Sequence, residues 1–319
     1  MSHKSPISLK SKLNTLFSDS PTLAIIAALL GSSFIALSPL FVRFSEVGTT
    51  ATAFYRFFFA LPLVWTWMIF DNLKPELYRT PRSVREYILL IAAGFFLGMD
   101  ITFWHLAMIK TSIVNAVILN AITPVFVAFA AWIFFKEKIT LPLGVGMALA
   151  LSGSFILVSA SGSAQESNFQ GDFYALISAV FYAAFMICLK ELRKSFSAPT
   201  IMFWVTLVGM YTLGVTAHFM NEVVVPYSAN GWFLLVVLAL IVHVLGGGLM
   251  SYSIGHLTAT FSSLTILIGP FVAGILGWLV FSEAMSWQQA TGGVIIIIGI
   301  VLSRQTRLTF QRKKTNNNP

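Results

Sequence analysis

Charge is what this sequence has least of. Only 10% of its 319 residues are Asp, Glu, Lys or Arg, against about 25% in soluble domains. With 57% hydrophobic residues and a mean hydropathy of +0.82, a water-wetted globular exterior is excluded. Cysteine is nearly missing. Cys188 is the single one, which rules out an intramolecular disulfide and a thiolate metal cluster. There is no His-Glu-x-x-His pair, no Gly-x-Ser-x-Gly turn and no Gly-x4-Gly-Lys loop. Zincin, serine-hydrolase and direct ATP-hydrolysis chemistry are therefore not expected. One aspartate, Asp100, lies deep in an apolar run, so an intramembrane carboxylate dyad is excluded too. The reading is of a protein that is not an enzyme and carries no metal or cofactor. The net charge of +8 and pI of 9.7 could suggest nucleic acid. The bases instead sit in short stretches between apolar runs, which makes the lipid bilayer the expected partner.

What is present in abundance is long apolar runs. Ten are read, roughly 21–42, 49–70, 87–109, 113–135, 141–159, 171–190, 199–220, 231–251, 260–281 and 288–303. Each is near the ~20 residues needed to cross the hydrocarbon as a helix. They are too long for strands and lack alternation. The expected class is an all-α polytopic membrane protein. Ser20, Thr140, Asp172 and Ser197 are read as helix-start residues. Pro39, Pro62, Pro124 and Pro270 lie within runs, where each is expected to kink a helix and free a carbonyl.

The second half repeats the first at an offset of 146 residues. Pro124, Trp132, Phe135 and Glu137 recur as Pro270, Trp278, Phe281 and Glu283. Gly146, Gly153 and Ser32 recur as Gly292, Gly299 and Ser178. The division expected is an N-terminal tail over 1–20, a five-helix repeat over 21–159, a polar linker over 160–170, a second repeat over 171–303 and a basic tail over 304–319. An odd number of spans per repeat threads the halves in opposite senses. Inverted halves suit alternating access, because exchanging their conformations turns an inward-open state into an outward-open one.

The bases choose an orientation. With both termini inside, only Arg43 and Lys110 of the 20 Lys and Arg residues fall in outer segments, and Arg56 lies within the second run. The positive-inside rule then places both ends in the cytoplasm. No cleavage pattern marks a removable signal peptide. Leu9, Leu13, Leu16 and Phe17 allow one face of a short interfacial helix, with a disordered tail as the alternative. The stretch 311–319 is expected to be disordered.

Ionisable groups in lipid face a cavity or a partner. Asp100 lies near the middle of the third run, and Arg56 lies at a similar depth in the second. Two readings stay open: an ion pair that only holds helices together, or an Asp100 that serves as a cation or proton site in a substrate cavity. Trp104 is one turn from Asp100 and on its face, and an acid beside aromatics suits an ammonium group. His105 and His243 are candidate proton-responsive groups, against the alternative of satisfied buried imidazoles. Tyr182, Tyr252, Asn115 and Asn120 are polar handles, otherwise helix–helix glue. By the offset, Gly246 of Gly246-Gly247-Gly248 is the counterpart of Asp100. It is read as a close helix approach or a hinge, with Pro39, Pro124, Gly247 and Pro270 as the other kink or hinge positions. Glu137 and Glu283 are assigned an architectural task, such as tying down the following helix.

The stretches Phe103-Trp104-His105-Leu106-Ala107, Pro124, Glu137-Lys138, Tyr252-Ser253-Ile254-Gly255, Gly269-Pro270, Trp278 and Glu283 resemble the EamA-type permeases of the drug/metabolite transporter superfamily. Ala53-Phe54-Tyr55-Arg56-Phe57 is similar to that family's arginine–phenylalanine stretch. The resemblance covers about 20–303. It implies an inner-membrane carrier, often an exporter of amino acids or related metabolites, with a central cavity and with the fifth and tenth helices peripheral. It implies that Asp100, Trp104, Tyr182 and Tyr252 are cavity residues. Asp100 departs from the family, which commonly shows an apolar or aromatic residue there, and it turns the expected solute toward a cationic or zwitterionic one. The partners expected are a small-molecule solute and lipid, and a homo-oligomer is compatible. Multidrug efflux and a non-transporting sensor or assembly factor are the alternatives.

Overall fold

A computed structural model describes residues 21–72, 80–160, 168–281 and 286–315. The expectations for 1–20 including Ser20, for 161–167, for Lys74 and Arg79, for Glu283 and for 316–319 lie outside them. Among the described residues all regular structure is helical, and nine segments are long and apolar enough to cross a membrane. In chain order the helical elements are α1 Pro21–Ile35, α2 Ser38–Arg43, α3 Thr49–Asn72, α4 Val84–Lys110, α5 Ile113–Asn120, α6 Thr123–Phe135, α7 Leu141–Ser159, α8 Phe169–Leu192, α9 Ala198–Phe219, α10 Ala229–Leu238, a π-helical segment Ala239–Gly247, α11 Gly248–His256, α12 Ala259–Leu264, a 3-10 turn Thr265–Ile268, α13 Gly269–Phe281 and α14 Trp287–Thr315. The run expected at 288–303 falls inside α14. That helix continues through Thr315, where an unstructured stretch from Gln311 was expected.

Local chemistry sets the ends. α4 starts earlier than the apolar run because Ser83 and Glu86 form a capping box, each side chain accepting from the other's backbone N–H. Thr140 and Ser197 hold N-cap positions ahead of Pro142 and Pro199. Asp172 is not a cap. Asn168 is, accepting from Gln170 N–H, and Asp172 lies inside the helix and accepts the Thr111 hydroxyl at 2.7 Å.

Three prolines sit where runs break. Pro39 lies in the first turn of α2, Pro124 in that of α6, and Pro270 follows the 3-10 turn into α13. Pro124 cannot donate to Asn120 O, and the Thr123 hydroxyl takes that carbonyl at 2.6 Å. Pro62, expected to kink its helix, lies within an unbroken α3.

Helix pairs interlock between the two halves. α4 packs along α8, α3 along α9, α1 along α11, and α7 along α14. The main buried cluster joins Leu90, Val127, Met186, Leu189, Ile201 and Ile254 from five helices. The outside stays apolar, with Phe134 69% and Leu279 64% exposed, as suits a surface solvated by lipid tails. Small residues allow the closest crossings. A Cβ on Gly153 would stand 2.6 Å from Gly292 O, and one on Gly299 would stand 2.5 Å from Gly146 O. Gly146 thus meets Gly299 while Gly153 meets Gly292, so α7 and α14 run antiparallel.

Carboxylates tie segment ends together across the chain. Glu137 accepts from Ala259 N–H at 3.1 Å, Thr260 N–H at 3.4 Å and the Thr260 hydroxyl at 3.0 Å. It was expected to hold the helix that follows it and instead holds α12. Left-handed Lys136 (φ 55°) ends α6 just before it. Glu222 accepts from Thr50 and Ala51 N–H at 3.2 and 2.7 Å. Glu46 accepts from Tyr227 and Ser228 N–H, both at 3.0 Å. Each places a negative charge at a helix start, where unpaired N–H groups and the helix dipole favour it.

Candidate functional site

The interior between α3, α4, α8 and the π segment gathers the polar groups. α4 carries Asp100 at mid-helix, only 8% exposed. Asp100 Oδ1 accepts the Ser178 hydroxyl of α8 at 2.6 Å, and Asn120 Nδ2, at the end of α5, donates to Ser178 Oγ at 3.0 Å. Three segments are joined through one serine. Its counterpart in the first half behaves alike: Ser32 Oγ lies 3.1 Å from Thr265 Oγ1. Ser178 had stood out in the sequence only as a repeat position, and its polar side chain mid-run was the signal that it has a partner.

Arg56, on α3, does not reach Asp100. No ion pair within 4.0 Å joins them. Its Nη1 donates to Ser38 Oγ at 3.2 Å, and its buried Nε has no hydrogen-bond partner. An unmade buried hydrogen bond costs about 1–3 kcal/mol, more when the group is charged. Phe57 and Ile101, the residues next to Arg56 and Asp100, share one buried cluster, so the two charges lie at one level of the α3–α4 pair.

His243 is buried in the π segment. Its Nε2 lies 2.8 Å from Thr206 Oγ1, and its ring centroid is 4.1 Å from that of Phe57. The Thr206 hydroxyl already donates to Met202 O at 2.5 Å, so Nε2 is the donor to Thr206 and a neutral ring keeps Nδ1 as acceptor. His105 has one distant partner, Thr50 Oγ1 at 3.5 Å. Gly246 and Gly247 close the π segment, and a Cβ on Gly31 would meet Gly246 O at 3.0 Å. This level is thus a close crossing of α1 over the π turn. Gly247 faces the Met202 side chain instead.

The expected aromatic wall beside Asp100 is largely used in packing. Phe103 stacks on Phe181 at 5.6 Å, and Phe95 and Phe96 meet the same ring. Trp104 sits with Met108, Leu119 and Tyr174 around three buried alanines. Tyr182 borders the main core beside Phe185, one helical turn from Ser178. Tyr252 lies apart from these, its ring 4.5 Å from that of His256. The structure thus puts Arg56 and Asp100 at one level of α3 and α4 and packs His243 on Phe57 beside Arg56, while His105 turns to Thr50, Tyr182 to the main core, and Trp104 and Tyr252 to other neighbours.

The EamA-like transporter family matches residues 22–159 and again 169–305. The chain belongs to that family. As an EamA-like protein it is a multi-pass membrane transporter of the drug/metabolite superfamily. It is 23% identical over 278 residues to an uncharacterized transporter of Archaeoglobus fulgidus, covering 87% of this chain and 94% of that one. It is 24% identical over 219 residues to the pseudopaline exporter CntI of Pseudomonas aeruginosa, covering 69% and 75%. It is 24% identical over 209 residues to a probable terminal-alkyne amino-acid exporter of Streptantibioticus cattleyicolor, covering 64% and 68%. A solved crystal structure shares the fold at a TM-score of 0.73 and 14% identity, covering 89% of this chain and 98% of that chain.

Proposed function

We propose that this EamA-like carrier exports small amine-bearing organic solutes, amino acids above all, across the inner membrane. The observation that carries the reading is Asp100. Its carboxylate is buried at mid-helix, held on one oxygen by Ser178, with no cation of the described residues in ion-pair contact. A carboxylate in that setting attracts a positively charged solute group. Export agrees with the names of two of the relatives.

The mechanism we propose is alternating access between two inverted five-helix halves. The antiparallel seam of α7 with α14 supports it, as does the exchange of partners between halves. Ser32 bonds in the second half, and Ser178 bonds back into the first. The Pro39, Pro124 and Pro270 breaks, with Gly246 and Gly247, are the positions where the helices would flex.

Counterflow in proteoliposomes against amino acids, amines and nucleosides, at two pH values, tests the function. Saturable exchange of amine-bearing solutes is expected. Broad weak exchange of unrelated drugs would favour multidrug efflux, and silence across the panel would overturn transport of these classes. Orientation has its own test in a Cys188→Ser background, where the buried native thiol is gone. An impermeant thiol reagent on intact cells labels a Tyr227→Cys variant, whose site is 87% exposed. It labels Lys138→Cys only after permeabilisation. Labelling of both from outside would overturn the threading.

A further inference from the structure

Arg56 is the group that the fold leaves unfinished. Its Nε is buried without a partner, and its one hydrogen bond goes to a neutral hydroxyl, Ser38 Oγ. The obvious carboxylate, Asp100, lies at the same level of the neighbouring helix, since Phe57 and Ile101 share one buried cluster, and no ion pair within 4.0 Å joins the two. Opposite charges in a medium of low dielectric attract strongly, so what keeps them apart is their anchoring. Ser38 opens α2 at the break beside Pro39 and holds the guanidinium. Ser178, itself held by Asn120, fixes the carboxylate on the α8 side. The result is a fixed positive group on α3 and a fixed negative group on α4 at one level of the fold, neither in an ion pair among the described residues.

We infer that Arg56 and Asp100 are the two ends of one zwitterion site, the guanidinium taking the α-carboxylate and Asp100 the α-ammonium of a free amino acid. The inference rests on the proposed transport of amine-bearing solutes and adds the carboxylate requirement and the residue that reads it. A guanidinium presents paired N–H donors in a plane that matches a carboxylate. The unpaired Nε is one such donor. A plain amine would satisfy Asp100 and leave Arg56 as it is. An N-acylated amino acid would satisfy Arg56 and leave Asp100 without a cation. Only the zwitterion completes both.

The test uses the full-length protein in proteoliposomes and three probe sets: neutral L-amino acids, their decarboxylated amines and their N-acetyl derivatives. The wild type exchanges the amino acids about tenfold or more faster than either analogue, because each analogue forgoes one charge-assisted hydrogen bond. Arg56→Gln removes the preference for the amino acid over the amine. Arg56→Lys keeps the charge and lowers the preference several-fold, because an ammonium cannot donate the paired hydrogen bonds. Should Arg56→Gln fail to fold, Arg56→Lys decides alone. An unchanged preference in the folded variants overturns the site. Wild-type exchange of amines but not amino acids also overturns it and leaves the carrier reading intact. No exchange of any probe overturns both.

Discussion

Replacing Gly153 by leucine should leave little folded, monodisperse protein. On α7, a Cβ at this position would lie 2.6 Å from Gly292 O and 2.8 Å from Ile296 N of α14. Both are backbone atoms and cannot swing aside as a side-chain end would. The whole helix must back away, and the remaining seam, Gly146 against Gly299, must open with it. Adding atoms to a packed core commonly costs about 1–3 kcal/mol. Alanine should cost that much here, and leucine, with three further carbons, should exceed it. Size-exclusion profile and thermal unfolding in detergent measure the effect. Gly144, on the same helix, has only the Ile139 side chain at 3.9 Å, so Gly144→Ala should be nearly silent. Equal tolerance at Gly144 and Gly153 would mean that this seam does not hold the helices.

The second large effect concerns activity. Asp100→Asn should lower transport by about tenfold to a hundredfold while folded yield stays normal. The side-chain amide keeps an oxygen that accepts the Ser178 hydroxyl, now 2.6 Å from Oδ1, so the link between α4 and α8 survives. What disappears is the negative charge, and hydrogen bonds to charged groups contribute about 1.5–3 kcal/mol, which is one to two decades in rate or affinity. Burying a neutral amide is also easier than burying an ion, so thermal stability should hold or rise. Ser178→Ala gives the contrast: the charge stays, its internal hydrogen bond goes, and stability falls. Normal transport by a well-folded Asp100→Asn variant would remove this residue from the mechanism.

The helices and the family were legible in the sequence because both follow from long apolar runs and from motif spacing. Both ends of α3 and α7, and the C-terminal end of α13, fall within two residues of the runs. The start of α4 was missed because its first turn is polar, although Ser83-x-x-Glu86 carried the capping signal. The polar interior was legible as a set of residues and not as a set of contacts. Depth along two helices placed Arg56 and Asp100 at one level, but their rotation about the helix axes is set by packing. Ser38 and Ser178 therefore took the hydrogen bonds that a direct ion pair would have used. Glu137 was recognised as a fastening point, yet its partner lies 122 residues on. Only the folded arrangement brings α12 to it.

The wide turn at Ala239–Gly247 also marks where the two family-matched stretches differ. α4 covers 27 residues between a serine N-cap and an extended C-cap, and the matching stretch Ala229–His256 covers 28 between the same kinds of cap. One additional amino acid inserted into an otherwise equivalent rod has to be swallowed somewhere, and π geometry, with its longer i→i+5 ring, is how a helix does so without unwinding. The bulge falls at the level where its sister helix carries Asp100. Of the two family-matched stretches, one carries a buried carboxylate at this level and the other a π-helical ladder of hydrogen bonds. Two helices of nearly equal length and matching caps thus differ most at mid-span, one bearing a carboxylate and the other a wider turn.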